Sequence, residues 1–445
     1  MKRFGPPPLF FSVRLPTLLA MFWRCHICDS PIKGISRKEP PSFIIFRLDA
    51  LGDVVLTTPL FRALKTAHPG SRCTVVVQQP YRSLLVTNPH IDEILTLPWI
   101  RPAWLPQGLR RLLSATLFYC TRLRRRHFDF AISPRWDTDE HLATFLCALT
   151  HAGSRVGYTE KTTPAKQQIN RGFDAAYDVC LPAGPVRHEV LRNLAIAEAV
   201  GATVLDGRLE IHLTERDRRK AARVLTAVAA SAKLIALGIG AHSPGRRWPL
   251  ERYAQAITKL GKQQTIQPVI VCSGPELGEA LQLAGLLDTA PIILSSAGLR
   301  EVCAVLERCD LFLGNDSGSA HLAAALGCKV VAISRHPRDG DPNHYNSPLR
   351  FAPQGTQVHV LQPARGLDGC REACCVLEPH CINQVSVDEV IAAARAMLQE
   401  AQSMSSPMAQ SWPAARSLLH AHSAEAIRRA VQNSGAGVAR PGAPI

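Results

Sequence analysis

The feature that most constrains the fold is a series of short apolar runs, each followed by a segment of helical periodicity. Residues 42–48 are apolar at most positions, which is typical of a strand buried on both faces of a parallel sheet. Residues 54–65 then follow a helical pattern, with Pro59 tolerated near the first turn. Strand and helix patterns alternate in this way up to residue 200. The alternation predicts an α/β domain with a doubly wound parallel sheet.

The same alternation begins again in the second half of the chain. Strand patterns recur at 233–238 and 329–334, with helical patterns between them. A chain of 445 residues is also too long for one ordinary core. We therefore predict two facing Rossmann-like domains, over 42–205 and 206–386, and a final amphipathic helix within 387–402.

The two ends of the chain fall outside this pattern. Residues 9–23 are apolar, but Arg14 and Pro16 interrupt them, and the run is shorter than the roughly 20 residues of a spanning helix. No small-residue cleavage pattern follows, so we expect 1–41 to be a disordered or interfacial extension. The tail, 403–445, is rich in Ala, Ser, Pro and Gly, and we expect it to be disordered.

The formal net charge of +15 indicates an acidic partner, which could be nucleic acid, an anionic membrane face or a phosphorylated substrate. No recognised nucleic-acid reading module is present, so we predict no nucleic-acid partner. A basic segment around Phe118 and Tyr119 could contact anionic lipid or an acidic acceptor, and a solvated basic helix explains it about as well. Its arginines are Arg110, Arg111, Arg122, Arg124, Arg125 and Arg126.

The fourteen cysteines are scattered among predicted helices and strands, which fits a reducing cytoplasm better than a disulfide framework. Cys25 and Cys28 form a close pair, but no second pair lies nearby to complete a zinc site. A second cluster is richer but irregularly spaced, so we favour a structural loop there over a metal site. It comprises Cys370, Cys374, Cys375, His380 and Cys381.

One segment, residues 311–327, runs from an apolar strand through a small, hydroxyl-rich turn into an Ala/Leu helix. The first N–H groups of a helix lack partners and carry partial positive charge, so this turn can bind a phosphate. Ser317 and Gly318 would let a diphosphate approach the backbone closely. His321 lies on the first helical turn, and Asp316 can accept a hydrogen bond. An ordinary turn with Asp316 or Ser317 as N-cap explains these residues equally well.

Two aspartates follow the first strand, at the edge of the sheet where such folds bind ligands. Asp49 and Asp53 stand on either side of Gly52, and the turn lacks the G-x-G-x-x-G of an NAD or FAD site. Asp53 could act as a general base toward a ligand held by the other half. From this segment alone, an N-cap role is the somewhat stronger explanation of Asp53.

The second half opens with a basic turn. Arg246 and Arg247 precede a Trp-Pro helix start and could bind an anion, with a solvated basic loop as the equal alternative. Glu276 follows the next strand and could reach a nucleoside ribose, or could be an ordinary helix-start acid. In the first half, Trp136 follows a strand and could line an acceptor pocket, although a helix cap explains that segment equally well.

Four motifs in this order resemble the bacterial heptosyltransferases of glycosyltransferase family 9. They are L-G-D-V-V-x-T-x-P, G-A…R-W-P, G-N-D-S-G-x-x-H-L-A-A-A-L-G and a C-x-x-x-C-C…H-C-I tail. The resemblance covers residues 42–400. It implies a GT-B fold, in which 42–205 binds the acceptor and 206–386 binds a nucleotide-sugar donor.

The resemblance also implies an activity. Heptose would be transferred with inversion from a nucleotide-sugar donor, typically ADP-heptose, to a lipopolysaccharide core acceptor, without a metal ion or other cofactor. The enzyme would act in the cytoplasm, at the anionic inner face of the inner membrane. The alternative is a catalytically impaired relative that binds nucleotide sugars or acts as a scaffold.

The family's site residues map onto this chain one by one. Asp53 matches the proposed catalytic base, and Arg246 stands where a lysine commonly neutralises the donor phosphates. Asp49 replaces a small hydroxyl residue, so a second carboxylate adjoins Asp53 and could change its pKa. The donor-binding positions match Asp316, Ser317, Gly318 and His321.

Overall fold

A computed structural model describes residues 40–98, 104–204, 206–370, 374 and 376–399. The expectations for the N-terminal extension up to residue 39 and for the tail after residue 402 lie outside the described residues. The same holds for the Cys25 and Cys28 pair and for Cys375.

The first half contains a six-stranded, wholly parallel sheet in the order β3-β2-β1-β4-β5-β6. Its strands are β1 Ser42–Arg47, β2 Arg72–Gln78, β3 Glu93–Leu97, β4 His127–Ser133, β5 His151–Tyr158 and β6 Val179–Leu181. Its helices are α1 Leu51–Leu56, α2 Thr58–Ala67, α3 Arg82–Leu85, α4 Gln107–Phe118, α5 Ala143–Leu149, α6 Pro164–Ile169 and α7 Glu189–Ala199. The predicted doubly wound sheet is confirmed.

The second half repeats this architecture in a six-stranded parallel sheet of order β12-β11-β10-β7-β8-β9. Its strands are β7 Lys233–Gly238, β8 Ile266–Val271, β9 Ile292–Leu294, β10 Leu311–Asn315, β11 Lys329–Ile333 and β12 Val358–Leu361. Its helices are α8 Glu215–Val224, α9 Leu250–Gly261, α10 Leu277–Leu286, α11 Leu299–Leu306, α12 Gly318–Ala325, α13 Pro348–Phe351 and α14 Val387–Gln399.

Strand order determines where each half can bind a ligand. In the first sheet the order reverses direction between β1 and β4, and in the second between β7 and β10. Ligands of doubly wound sheets bind in the crevice at the carboxyl ends of the strands, at this reversal. The helix after β1 is α1 and the helix after β10 is α12, so both predicted turns lie at such a crevice.

The central strands are buried as their composition predicts. Residues 43–46 of β1 and 311–313 of β10 have no exposed surface. Fully burying one such large apolar side chain contributes about 1.5 to 3 kcal/mol, so each central strand anchors its sheet. The last helix, α14, packs on the second half, where Ile391 joins the same core cluster as Ile257 of α9.

Some elements differ from the sequence-based expectation. The single helix predicted over 54–65 is two helices that meet at Thr57, because Pro59 has no N–H to continue the first helix. Three strands, β5, β6 and β12, were not predicted. β5 is rich in polar residues and Gly, and the other two have three and four residues, so none forms a long apolar run.

No helix among the described residues is both long and apolar enough to cross a bilayer.

Candidate active site between the two halves

The start of α1 lies directly against the start of α12, so the two predicted turns meet. A Cβ placed on Gly52 would lie 2.9 Å from Cδ2 of His321, and one on Gly318 would lie 3.0 Å from Cδ2 of Leu51. Glycine at these two positions permits the close approach, because a larger residue would need its neighbour to move. Residues from both halves therefore line one site.

Asp53 keeps one carboxylate oxygen without a hydrogen bond. Its Oδ2 accepts from the backbone N–H of Ala50 at 3.2 Å, which is the local capping role considered from the sequence. Its Oδ1 is buried and has no hydrogen-bond partner among the described residues, with Nη1 of Arg135 3.7 Å away. One oxygen therefore caps α1, and the other can accept a proton from a bound molecule.

The environment brings the pKa of Asp53 close to the range that suits a general base. Burial raises the pKa to about 6, the charges of Asp49 and Glu189 add to this effect, and Arg135 and Arg47 oppose it. A base is most effective when its pKa lies near the working pH. Asp53 is thus largely ionised at neutral pH but remains basic enough to take a proton.

Asp49 is held in the opposite state. Its Oδ2 accepts from Nη1 of Arg47 at 2.9 Å, and its Oδ1 lies 3.4 Å from Nε of Arg135. Burial acts to raise the pKa of Asp49, but Arg135, Arg47 and His141 together lower it below its usual value. Environments that separate the pKa values of two neighbouring carboxyl groups assign them different roles. Asp49 is a fixed anion, and Asp53 is the group that can exchange a proton.

Sequence analysis missed the two arginines that create this difference. Arg47 ends β1 and also donates to Oγ1 of Thr57 at 2.7 Å and to Oδ1 of Asn193 at 3.2 Å. Arg135 follows β4, the neighbour of β1, and bridges both aspartates. A search for charged residues at the carboxyl ends of adjacent strands would have found Arg135, once the pairing of β1 with β4 was known.

The start of α12 has amide groups available for an anion. Ser317 is the N-cap residue, but its side chain makes no capping hydrogen bond in the described structure; instead Oγ of Ser317 lies 3.0 Å from Oγ of Ser319. The N-cap alternative for this turn is therefore not realised by a side-chain bond. The first N–H groups of α12 and these two hydroxyl groups lie at the end of the helix that packs against α1, and together they form a polar cradle that suits a phosphate.

Arg246 adjoins this cradle. It lies in a 3₁₀ turn, Pro244–Arg246, and its Nη2 donates to the carbonyl oxygen of Asp316 at 2.8 Å, with Oδ2 of Asp316 at 3.5 Å. Burial raises the pKa of Asp316, and Arg246 opposes that shift. The side chain of Arg246 is 22% exposed, so its remaining donors can reach a ligand.

Arg247 and Glu276 lie together at the ends of β7 and β8, but acids already engage Arg247. Arg247 contacts Oε1 of Glu279, and its Nη2 donates to Ala241 at 3.3 Å and lies 3.8 Å from Oε1 of Glu276. Glu276 in turn accepts from the backbone and hydroxyl of Ser273, both at 2.8 Å. The donor-binding roles of Arg247 and Glu276 stay predictions.

His321 is a neutral imidazole at the junction of the halves. Burial lowers its pKa to about 3, and the charges of His188 and Arg246 contribute in the same direction. Its Nδ1 is buried and has no hydrogen-bond partner among the described residues. A neutral ring offers one donor and one acceptor, so His321 can bond to a polar ligand without a change of charge.

Trp136 lies in the interior, although the sequence suggested that it lines an acceptor pocket. It is 1% exposed, its Nε1 donates to Ala183 at 3.0 Å, and its ring is flanked by the guanidinium groups of Arg192 and Arg350. An acceptor could contact this indole only after a rearrangement. The acceptor-side role of Trp136 stays a prediction.

The ring of Trp136 adjoins a buried ion-pair network that sequence analysis did not find. Arg350, from α13 of the second half, donates to Asp137 at 3.2 and 2.6 Å and to Glu189 at 2.8 Å, both in the first half. Its side chain has no exposed surface. The network joins the two halves beside the site.

Two six-stranded parallel sheets, with the starts of α1 and α12 meeting between them, form the two-domain arrangement of the GT-B fold. The sequence profile of glycosyltransferase family 9 (heptosyltransferase) matches residues 119–358, which is more than half of the chain. The chain belongs to this family. The matched region begins after Asp53, so the profile does not support a role for Asp53. The support for that role is the geometry described above.

Curated relatives are similar over most of their length. The lipopolysaccharide core heptosyltransferase OpsX of Haemophilus influenzae is 24% identical over 330 residues, which cover 73% of this chain and 85% of that protein. The lipopolysaccharide heptosyltransferase 3 of Escherichia coli strain K12 is 23% identical over 294 residues, which cover 63% of this chain and 79% of that protein.

Solved structures confirm the fold. A family 9 glycosyltransferase from Veillonella parvula DSM 2008 has a TM-score of 0.65 and 21% identity, over 82% of this chain and 98% of that one. The structure of the Escherichia coli heptosyltransferase WaaC with ADP has a TM-score of 0.59 and 16% identity, over 80% of this chain and 99% of that one. The GT-B expectation is thereby confirmed.

Proposed function

We propose that this glycosyltransferase moves heptose from ADP-heptose to a lipopolysaccharide core acceptor with inversion at the anomeric carbon. The observation that carries the proposal is the buried Oδ1 of Asp53, which has no hydrogen-bond partner among the described residues and belongs to a helix whose Gly52 packs against His321 of α12. The names of the curated relatives support the sugar and the acceptor. Two solved WaaC structures, one with ADP and one with ADP-2-deoxy-2-fluoro heptose, support the donor.

In the proposed reaction Asp53 activates the acceptor. Its Oδ1 takes the proton of an acceptor hydroxyl while that oxygen attacks the anomeric carbon. The bond between the anomeric carbon and the diphosphate oxygen breaks, and ADP leaves from the opposite face of the sugar. A single displacement of this kind inverts the configuration.

The second half stabilises the leaving group. Negative charge builds up on the diphosphate in the transition state, and the start of α12 and Arg246 supply fixed positive potential for it. Arg247 would add to this potential, and Glu276 would contact the ribose of the donor. We propose that this arrangement needs no divalent ion on the diphosphate. Addition of Mg²⁺ to the assay is therefore expected to leave the rate unchanged.

The direct test is release of ADP by the purified chain from ADP-heptose in the presence of a truncated lipopolysaccharide that lacks its heptose. Product analysis by NMR is expected to show the anomeric configuration opposite to that of the donor. Retained configuration would contradict the role given to Asp53. Absence of release by a folded protein that binds ADP would contradict the proposed function.

A second candidate is a relative that binds nucleotide sugars without transferring them. The bond between Arg246 and Asp316 favours this candidate, because it occupies part of a guanidinium that stands where the family commonly has lysine. Arginine and lysine differ in phosphate geometry. Calorimetry that detects ADP-heptose binding, together with no ADP release on any core acceptor, would support this candidate.

We also propose that α4 brings the enzyme to an anionic membrane surface at the cytoplasmic face. Leu109, Leu113 and Leu117 are 42%, 40% and 50% exposed, and their spacing of four residues places them on one face of the helix. The exposed side chains of Arg122 and Arg124 follow in the same segment. An apolar stripe beside basic residues is typical of interfacial helices.

Vesicle sedimentation tests the membrane proposal. Leu113→Glu is expected to weaken binding to vesicles that contain phosphatidylglycerol, whereas Leu281→Glu, at another exposed leucine on α10, is expected to have little effect. The two variants carry the same change of charge. Equal loss in both would show that only net charge matters, and no binding by the wild-type chain would contradict the proposal.

A further inference from the structure

Four metal-ligating side chains converge outside the site described above, in the segment that follows β12. The ligand atoms of Cys370, Cys374, His380 and Cys381 all lie within 4.8 Å of one another. The three cysteines are 3%, 1% and 0% exposed and form a buried cluster of their own. The irregular spacing that argued against a metal site in the sequence does not keep these side chains apart.

The distances from the His380 nitrogen to the three sulfurs match those of a tetrahedral ligand shell. Nδ1 of His380 lies 3.5 Å from Sγ of Cys370, 3.5 Å from Sγ of Cys381 and 3.9 Å from Sγ of Cys374. Zinc binds thiolate sulfur at about 2.3 Å and imidazole nitrogen at about 2.0 Å, which separates sulfur from nitrogen by about 3.6 Å in a tetrahedron. Each observed distance lies within about 0.3 Å of that value.

We propose that Cys370, Cys374, His380 and Cys381 bind one structural zinc ion. Three thiolates and one neutral imidazole form a closed set of four protein ligands, which leaves no open position for catalysis. The three thiol protons pass to solvent when the metal binds. The backbone N–H of Leu367 donates to Sγ of Cys381 at 3.5 Å, as outer-shell donors do to ligating sulfur.

The zinc would fix the segment that supports the basic turn of the active site. The carbonyl oxygen of Val376, two residues after Cys374, accepts from Nη1 of Arg335 at 3.2 Å. The same oxygen packs so closely on Gly245 that a Cβ there would overlap it. Gly245 directly precedes Arg246. The metal site therefore lies behind the turn that presents Arg246, and it holds that turn without contacting substrate.

Metal analysis of the full-length chain tests the proposal independently of transferase activity. The wild-type protein is expressed with zinc and freed of loosely bound metal. Inductively coupled plasma mass spectrometry is then expected to find about one zinc per chain. Cys374→Ala and His380→Asn are expected to lose that zinc. Cys303→Ala removes an equally buried cysteine from α11 and is expected to retain it.

A second measurement uses the wild-type chain, so the proposal can be tested even if the variants fail to fold. Cobalt exchanged into the wild-type chain is expected to give the intense visible absorption of tetrahedral thiolate ligation, and removal of zinc is expected to lower the thermal midpoint. A wild-type chain without bound metal, or a disulfide between two of these cysteines, would overturn the proposal. One equivalent of iron in place of zinc would overturn the choice of metal. None of these three outcomes would decide whether the chain transfers heptose.

Discussion

At the residue scale, the proposed chemistry depends on the different contacts of two aspartates. Arg47 and Arg135 hold Asp49 as a fixed anion, whereas Asp53 retains a buried oxygen with no hydrogen-bond partner among the described residues. The sequence identified both aspartates, because they follow an apolar strand in a recognisable turn. It could not assign their pKa values, because Arg135 lies 86 positions after Asp49 and reaches it only through the pairing of β1 with β4.

The pH dependence of kcat/KM tests the assignment of Asp53. The base must be ionised to accept a proton, so activity is expected to fall as the pH decreases through about 6, the raised pKa of Asp53. Below that pH, kcat/KM should fall about tenfold per pH unit. An acid limb near pH 4, the ordinary range of an aspartate, would show that burial does not control this group.

Replacement of Arg135 should move that limb. Its positive charge lowers the pKa of Asp53, so Arg135→Gln is expected to shift the acid limb to higher pH, by about one unit. Arg135→Lys retains the charge and is the matched control, so its acid limb should stay close to that of the wild type. A limb that stays in place in Arg135→Gln would mean that Arg135 does not act on the base.

At the element scale, the site exists because the starts of two helices meet. Alternating apolar strands and helices predicted both α1 and α12, and their place after central strands predicted that each would face a crevice. The contact between them was not predictable, because it depends on two glycines, Gly318 opposite Leu51 and Gly52 opposite His321, which are 267 and 269 positions away from those residues in the chain. The polar strand β5 was also missed, because its composition lacks an apolar run. Its place in the sheet comes from pairing with β4 and β6.

Gly52→Ala tests this contact. The new Cβ would lie 2.9 Å from the buried ring of His321, so the ring or the helix that carries it must move, at a cost of about 1 to 3 kcal/mol of stability. A fall in kcat/KM larger than the loss of stability explains is expected. Gly285→Ala, where a Cβ meets open space on α10, is the control; it should leave kcat/KM unchanged and should not lower stability, because alanine favours a helix more than glycine does. Unchanged kcat/KM in Gly52→Ala would contradict the proposed geometry.

At the scale of the whole molecule, a buried network couples the two halves beside the site. Arg350 pairs with Asp137 and Glu189 and packs on the ring of Trp136. The two-domain organisation was predictable from the repeated strand and helix pattern. The network was not, because Arg350 and Asp137 are 213 positions apart and neither stands in a recognisable motif.

Arg350→Met should destabilise the chain, because it leaves two buried carboxylates without their shared partner. Denaturant unfolding is expected to show a loss of about 3 kcal/mol. Arg218→Gln removes a comparable two-bond pair, with Glu307 on the exposed surface, and is expected to leave the midpoint nearly unchanged. Equal effects of the two substitutions would show that the buried network does not hold the halves together.

The central claim is that Asp53 takes the acceptor proton in heptose transfer, and Asp53→Asn tests it most directly. The amide can still accept from Ala50, and above pH 6 the loss of a buried charge favours folding, so the variant should fold and bind ADP as the wild type does. The measurement is the rate of acceptor-dependent ADP release from ADP-heptose at pH 8. A fall of at least about 100-fold with unchanged ADP affinity is predicted. A rate within a few-fold of wild type would contradict the account.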